Sequence, residues 1–154
     1  MDFLFKDEVF IVMICAVSRE NQSAWAELCN SLWPHRLAEY FNDNRENANH
    51  FQNAFLYYVQ GEAVAFINLS LRNDYVEGTS SSPVGYLEGI YVKPEHRNRG
   101  IGRKMTEFAK KWAAEKGCVE FASDCEVENE ESRKFHNRIG FSEASTVVHF
   151  VMKL

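Results

Sequence analysis

The sequence predicts an α/β domain: a mixed central sheet of six to seven strands flanked by about four helices. Three observations predict it. Apolar runs of strand length alternate along the chain with segments whose apolar residues recur at helical spacing. A Gln60-Gly61-Glu62 turn joins two of those runs as an antiparallel hairpin. Past mid-chain, an almost wholly apolar run leads through a short glycine-bearing loop into an amphipathic helix and then into a further strand.

The totals narrow the class. A chain of 154 residues with 45% hydrophobic and 14% aromatic residues fills one core, so residues 1–154 are expected to be a single domain. No apolar run approaches the roughly 20 residues that span a bilayer. The start Met1-Asp2-Phe3-Leu4-Phe5-Lys6-Asp7-Glu8 places acids where a signal peptide carries positive charge, so the expectation is a soluble cytoplasmic protein with no membrane partner. Cys15, Cys29, Cys118 and Cys125 form no C-x-x-C pair and have no histidine at ligand spacing, so no metal is assigned. A net charge of −5 argues against nucleic acid as a partner. The charge is uneven: seven Lys or Arg face two Glu between Lys93 and Lys111, whereas Cys118 to Glu131 holds six acids and no base. A cationic patch beside an anionic one suits an enzyme that joins an anionic cofactor to a cationic substrate, and equally two ordinary solvated faces.

Residues 1–12 are ambiguous and read as an extension, with Val9 to Val17 as one apolar strand. Trp25, Leu28, Cys29 and Leu32 share a helical face, and the helix stops at Trp33-Pro34 because the residue before proline is driven from helical angles. Leu37 to Phe41 reads as a short second helix. Phe55 to Val59 and Ala63 to Arg72 are the hairpin strands. Asn73 to Pro83, rich in Gly, Ser, Thr and Asp, is a loop. Val84 to Val92 is apolar except for Glu88, so it reads as a central strand covered on both faces. Ile101, Met105, Phe108 and Trp112 mark a helix over Ile101 to Lys116, closed by Gly117. Val119 to Ser123 reads as a strand, Asn129 to Arg138 as a helix ended by Gly140, and Thr146 to Met152 as the final strand.

Between strand and helix lies Arg97-Asn98-Arg99-Gly100-Ile101-Gly102. Two glycines and flanking arginines let several backbone N–H groups converge at a helix N-terminus, a place that binds anions such as a pyrophosphate. A Walker loop would need Lys-Ser/Thr after Gly102, where Arg103-Lys104-Met105 stands, and the dinucleotide fingerprint would need glycine at Met105. The remaining pattern, Arg/Gln-x-x-Gly-x-Gly/Ala after a strand ending Val92-Lys93-Pro94, resembles the acetyl-coenzyme A loop of the GNAT superfamily of N-acetyltransferases. The order β-α-α-β-β-β-α-β-α-β matches that fold from Met13 onward.

That resemblance implies acetyl-CoA as cosubstrate, held by Arg97, Asn98, Arg99, Gly100, Ile101, Gly102, Arg103 and Lys104 at the helix tip. Backbone groups of Ile90, Tyr91 and Val92 would meet the thioester oxygen. Asn129 would contact the pantetheine arm, with simple N-capping as its other reading. His136 stands where many members carry a tyrosine thought to protonate the departing thiolate; it is a candidate acid or sulfur contact, and also a candidate structural histidine.

Glu88 is the candidate base. A carboxylate inside a buried strand costs several kcal/mol unless it is paired, neutralised or facing a water-filled cleft. An acceptor that arrives as an ammonium must lose a proton before its nitrogen attacks. The alternative is a structural ion pair, for instance with Arg72. Leu32-Trp33-Pro34, Asp74-Tyr75-Val76-Glu77-Gly78-Thr79, Ser82-Pro83-Val84, Leu87-Glu88-Gly89-Ile90-Tyr91-Val92 and Glu120-Phe121-Ala122-Ser123-Asp124 resemble the bacterial aminoglycoside 6′-N-acetyltransferases. By that resemblance Trp33 and Tyr75 contact sugar rings, Glu88 sits by the 6′-amine, and Asp124, with Glu126, holds other ammonium groups. Trp33 as a core residue is the competing assignment. An acidic pocket of Asp74, Glu77, Glu88, Asp124 and Glu143 suits such a polycation. A polyamine or protein amine as acceptor, a non-catalytic acetyl-CoA-binding domain, and a homodimer joined through the last strand are the further expectations.

Overall fold

Among the described residues six strands form one sheet in the order in which the chain makes them, antiparallel as far as the fifth and parallel between the fifth and sixth. The structure is a computed structural model, and it describes residues 3–7, 10–34 and 53–154. The strands are β1 (Phe3–Asp7), β2 (Phe10–Ala16), β3 (Ala54–Val59), β4 (Glu62–Arg72), β5 (Val84–Val92) and β6 (Phe121–Ser123). Three α-helices accompany them among the described residues: α1 (Gln22–Leu32), α2 (Ile101–Glu115) and α3 (Glu130–Ile139). The expected helix Leu37 to Phe41 lies outside the described residues.

The two faces of the sheet are built differently. Ile101, Met105, Ala109, Trp112 and Ala113 of α2 pack on Ile14, Tyr57, Ile67, Leu69 and Leu87. Trp25, Leu28 and Cys29 of α1 pack on Leu56 and Phe66 of the other face. The one polar group of Trp25 is satisfied there, its Nε1–H donating to Asn68 Oδ1 at 2.8 Å. Buried Thr106 likewise donates to the Gly102 carbonyl at 2.8 Å, inside its own helix. Loop residues 73–83 are tied to the sheet edge by Glu120, which accepts from the Ser80 amide at 3.0 Å and from the Ser81 hydroxyl. Those donors hold the Glu120 carboxyl below its ordinary range.

Three sequence expectations change. Residues 3–7 are an ordered strand: they pair antiparallel with β2 from Phe3 opposite Ile14 to Asp7 opposite Phe10, making an edge hairpin of what reads as an extension. Thr146 to Met152 forms no strand; Val148, Phe150 and Val151 are 76%, 93% and 98% exposed. The segment has strand composition, yet a strand needs a neighbour to satisfy its ladder, and no described strand of the chain pairs with it. The third change concerns β5. Val84 to Leu87 is buried as expected, but Glu88 is exposed and Gly89 to Val92 only partly covered.

Candidate active site

The change within β5 comes from its register. Asn68 lies opposite Gly89 and the next residue, Leu69, lies opposite Leu87, so Glu88 is an extra residue with no counterpart on β4. A bulge of this kind breaks the alternation of side chains and re-aims the inserted one. Tyr86, Glu88 and Gly89 all look toward the α1 side, while Leu87 joins the core under α2. The carboxylate therefore escapes the cost of burial that a regular central strand would impose.

Glu88 is not alone. Arg72, at the end of β4, donates from Nη2 to Oε1 at 2.9 Å and to Oε2 at 3.0 Å, with Nε 3.3 Å from Oε1. The Ser70 hydroxyl donates to the same Oε1. The guanidinium carbon lies 3.3 Å over the centroid of the Tyr86 ring, a cation–π contact. Tyr86 in turn donates from its hydroxyl to Asp124 Oδ2 at 2.9 Å. Burial, then the hydrogen bond to Asp124, push that phenol well above its ordinary range, so it stays a donor. With Arg72 and Glu88 side chains 40% and 37% exposed, the ion pair is worth about 1 kcal/mol to the fold. Stability alone does not account for its geometry.

The neighbouring wall is aromatic. A Cβ on Gly89 would lie 2.3 Å from Trp33 Cη2, so the indole occupies the space that a side chain at 89 would take. Trp33 tilts on Phe66 at 5.8 Å between centroids, and Phe66 stacks on Tyr91 at 6.5 Å. Trp33 thus joins a core cluster on one side and lies beside the Glu88 bulge on the other. Tyr75 is 78% exposed on its loop, and its phenol is raised chiefly by a hydrogen bond to Glu77. Glu143 is engaged by the protein: its carboxylate takes Arg133 Nε at 3.0 Å and Nη2 at 2.9 Å, a bidentate pair with α3.

On the other side of Glu88, β5 outruns β6. The parallel pairing covers only Gly85 opposite Phe121, Tyr86 opposite Ala122 and Leu87 opposite Ser123. Beyond it, Ile90, Tyr91 and Val92 pair with no described strand on that edge, so the two strands part as a fork. At its base the Ser123 hydroxyl reaches the Leu87 carbonyl at 3.1 Å and His136 Nε2 at 2.8 Å. His136 Nδ1 lies 2.7 Å from the Ser132 carbonyl, which can only accept, so Nδ1 carries a proton. Both imidazole nitrogens are thereby engaged by the protein. The Asn129 side chain caps α3, accepting from the Ser132 amide at 3.0 Å.

The loop before α2 has the backbone of an anion cradle. Asn98 (φ 59°) and Gly100 (φ 79°) are both left-handed, with an extended Arg97 before them, and α2 begins at Gly100 with no side-chain cap. Alternation of this kind turns successive N–H groups into one concavity. No atom lies within 4 Å of where a Gly100 Cβ would stand, so the tip is open. The residues around it divide the work. Arg99 and Lys104 are exposed. Arg97 folds back, its Nε donating to the Val92 carbonyl at 2.9 Å and its guanidinium 5.5 Å from the Tyr91 ring. Arg103 donates to the Arg138 carbonyl at 3.1 Å, closing the end of α3. Gly102 is small for a packing reason: a Cβ there would meet Phe135 Cε2 at 2.7 Å.

Ser70 and Ser123 are the site residues that sequence reasoning missed. A serine carries no periodic signal, and both matter only through a register that pairing decides. Among the described residues no group of three or more His, Cys, Asp or Glu is placed to hold a metal ion.

Comparison with known proteins accords with this arrangement. The family model for the acetyltransferase (GNAT) family matches residues 16–141. The chain is 39% identical over 138 residues to an aminoglycoside N(6′)-acetyltransferase type 1 of Acinetobacter haemolyticus, covering 89% of this chain and 95% of that protein. It superposes on the aminoglycoside 6′-N-acetyltransferase AAC(6′)-Ih of Acinetobacter baumannii with a TM-score of 0.85 at 34% identity, covering 93% and 99% of the two chains. A TM-score of 0.83 at 34% identity, with coverage of 93% and 99%, relates it to AAC(6′)-Iy in complex with the bisubstrate analogue CoA-S-monomethyl-acetylneamine. The fork beside Glu88, the open glycine tip and these likenesses together make the chain a member of the acetyltransferase (GNAT) family, an acetyl-CoA-dependent N-acetyltransferase.

Proposed function

We propose that this protein acetylates the 6′-amine of aminoglycoside antibiotics, conferring resistance, by direct attack within a ternary complex. The observation that carries the reading is Glu88 on its bulge: an exposed carboxylate flanked by Trp33 across Gly89 and by the Tyr86–Asp124 pair. An aminoglycoside presents several ammonium groups on sugar rings, which calls for carboxylates among aromatic faces.

Acetyl-CoA supplies the thioester that is attacked. The backbone amides of Asn98 to Gly102 and the exposed Arg99 and Lys104 suit its pyrophosphate, and the open β5 edge at Ile90 to Val92 suits the arm that leads to the acyl group. Glu88 then takes a proton from the 6′-ammonium, directly or through one water, so that nitrogen has a lone pair to attack with. His136 orders the fork through Ser123 and Ser132, and its route as an acid to the leaving thiolate would run through the Ser123 hydroxyl. Cys29 and Cys118 are unsuited to an acyl-enzyme route, since burial pushes Cys29 up to about 12 and raises Cys118.

The exposed apolar segment from Val147 to Met152 supports a homodimer in which each copy's terminal segment pairs with the other's sheet. Four free thiols and a reaction that consumes acetyl-CoA support a cytoplasmic location. The deciding experiment measures thiol release from acetyl-CoA with kanamycin or tobramycin, with analogues bearing a 6′-hydroxyl, and with spermidine. Turnover is expected only where a 6′-amine is present. Equal release from amine and hydroxyl analogues overturns the regiochemistry, and faster turnover of spermidine replaces the acceptor.

A further inference from the structure

The pair between Arg72 and Glu88 is more elaborate than an ion pair needs to be. Oε1 of Glu88 receives the Ser70 hydroxyl, Arg72 Nη2 at 2.9 Å and Arg72 Nε at 3.3 Å, whereas Oε2 receives only Nη2 at 3.0 Å. A carboxylate has about four lone-pair sites, two to each oxygen. Oε1 is therefore saturated, and Oε2 keeps a site open. Arg72 itself is gripped from below, with its guanidinium 3.3 Å over the Tyr86 ring, and that ring is anchored through its hydroxyl to Asp124 at 2.9 Å. A long surface side chain ordinarily samples many rotamers; this one is stacked and forked in one geometry, as only a planar guanidinium can be.

We propose that Arg72, with Ser70, is the positioning residue of the catalytic carboxylate: it locks Oε1 and presents Oε2 to the acceptor amine. The proposal rests on Glu88 as the base, and deepens that reading by assigning its two oxygens different tasks. The proton leaves the acceptor nitrogen and arrives on Oε2, while Oε1 keeps its donors throughout, so the carboxylate need not turn during the reaction. The group that holds it belongs to the protein, so the orientation of the carboxylate does not depend on bound substrate. The groups facing Glu88 are Arg72 and Ser70 from β4 and Tyr86 from β5, with Asp124 behind the Tyr86 hydroxyl and the uncharged Trp33 near Gly89. Arg72 is the one cation among them. Its removal leaves the Ser70 hydroxyl as the remaining donor of this set on Oε1 and none of it on Oε2.

The test compares Arg72→Met, Arg72→Lys and Ser70→Ala with the wild type. In substrate-free protein, the order of the Glu88 side-chain carboxyl carbon is followed by NMR relaxation. Arg72→Met is expected to lose the single ordered carboxylate, Arg72→Lys to lose it in part, and Ser70→Ala to lose it least. In turnover of whichever cationic amine the wild type acetylates best, Arg72→Met is expected to lower kcat by about 10- to 100-fold while the acceptor KM changes far less, with acetyl-CoA affinity by calorimetry unchanged. A Glu88 carboxylate as ordered in Arg72→Met as in the wild type overturns the proposal, as does an unchanged kcat. The NMR arm needs no acceptor, so a wild type that ignores aminoglycosides would sink the proposed acceptor and leave this inference to stand or fall separately.

Discussion

The two halves of β5 share a strand and little else. From Val84 to Leu87 the strand is buried, paired with β4 throughout and with β6 from Gly85 to Leu87, with Leu87 in the core under α2 and Val84 and Tyr86 packed with Val76. From Glu88 to Val92 it is partly open and paired with β4 alone after Glu88; Ile90 and Val92 still lean on the core, while Glu88 is held by hydrogen bonds and an ion pair and Tyr91 by stacked rings. One inserted residue separates them. The first half supplies rigidity and the second exposes the groups that do chemistry, so damage in the two halves should register in different measurements.

The sharpest way to break that contrast is a neighbouring pair of substitutions. Leu87→Ala, at a site 2% exposed, is expected to cost about 2–5 kcal/mol in denaturant unfolding while the surviving folded fraction keeps its kcat. Glu88→Gln is expected to do the opposite: little change in unfolding, with kcat down by about tenfold or more and acetyl-CoA binding retained. Full turnover by Glu88→Gln would remove the base and with it the division of the strand.

Gly89→Ala tests the seam itself. The added methyl would lie 2.3 Å from Trp33, so the indole must move out of its wall. The acceptor KM is expected to rise by about tenfold, with acetyl-CoA affinity unchanged. Of the same order is the effect expected at the cofactor tip. Gly100→Val places a β-branched residue at φ 79°, a strain of about 1–3 kcal/mol, and crowds the open cradle. Calorimetry should show weaker acetyl-CoA binding by about tenfold, and undiminished binding would remove the tip from the site.

The smallest effect tests an acid that lies outside the contrast. Arg133 holds the Glu143 carboxyl below its ordinary value of 4.5. The stabilisation is therefore fully present above that value and is lost as pH falls through the lower folded value. Glu143→Gln should flatten this part of the acid unfolding curve and leave aminoglycoside KM unchanged. A raised KM would return Glu143 to the acceptor pocket.

Much of this was legible beforehand, and what was not has a physical reason. The bounds of β5, Val84 to Val92, and the start of α2 at Ile101 follow from an uninterrupted apolar run and a glycine turn, both local properties. The bulge was invisible because it exists only in the pairing of β4 with β5; read by strict alternation, Glu88 falls inside the sheet. Gly102 reads as a phosphate glycine from its motif, and only the packing of α3 shows Phe135 against it. Residues 146–152 have the composition of a strand, but composition does not name the partner, and within one copy there is none among the described strands. The edge hairpin at Phe3–Asp7 was missed for the converse reason, since its acids and lysine mask a pairing that backbone groups complete.

The inserted residue in β5 also acts as a phase slip in the reading of the strand. Delete that inserted residue and the strand alternates regularly against β4, with Leu87 still opposite Leu69 and Gly89 still opposite Asn68, but the re-aimed carboxylate is gone. A one-codon deletion at Glu88 therefore removes the chemistry and leaves the ladder intact. Lineages descending from this chain should keep the residue count of β5 constant.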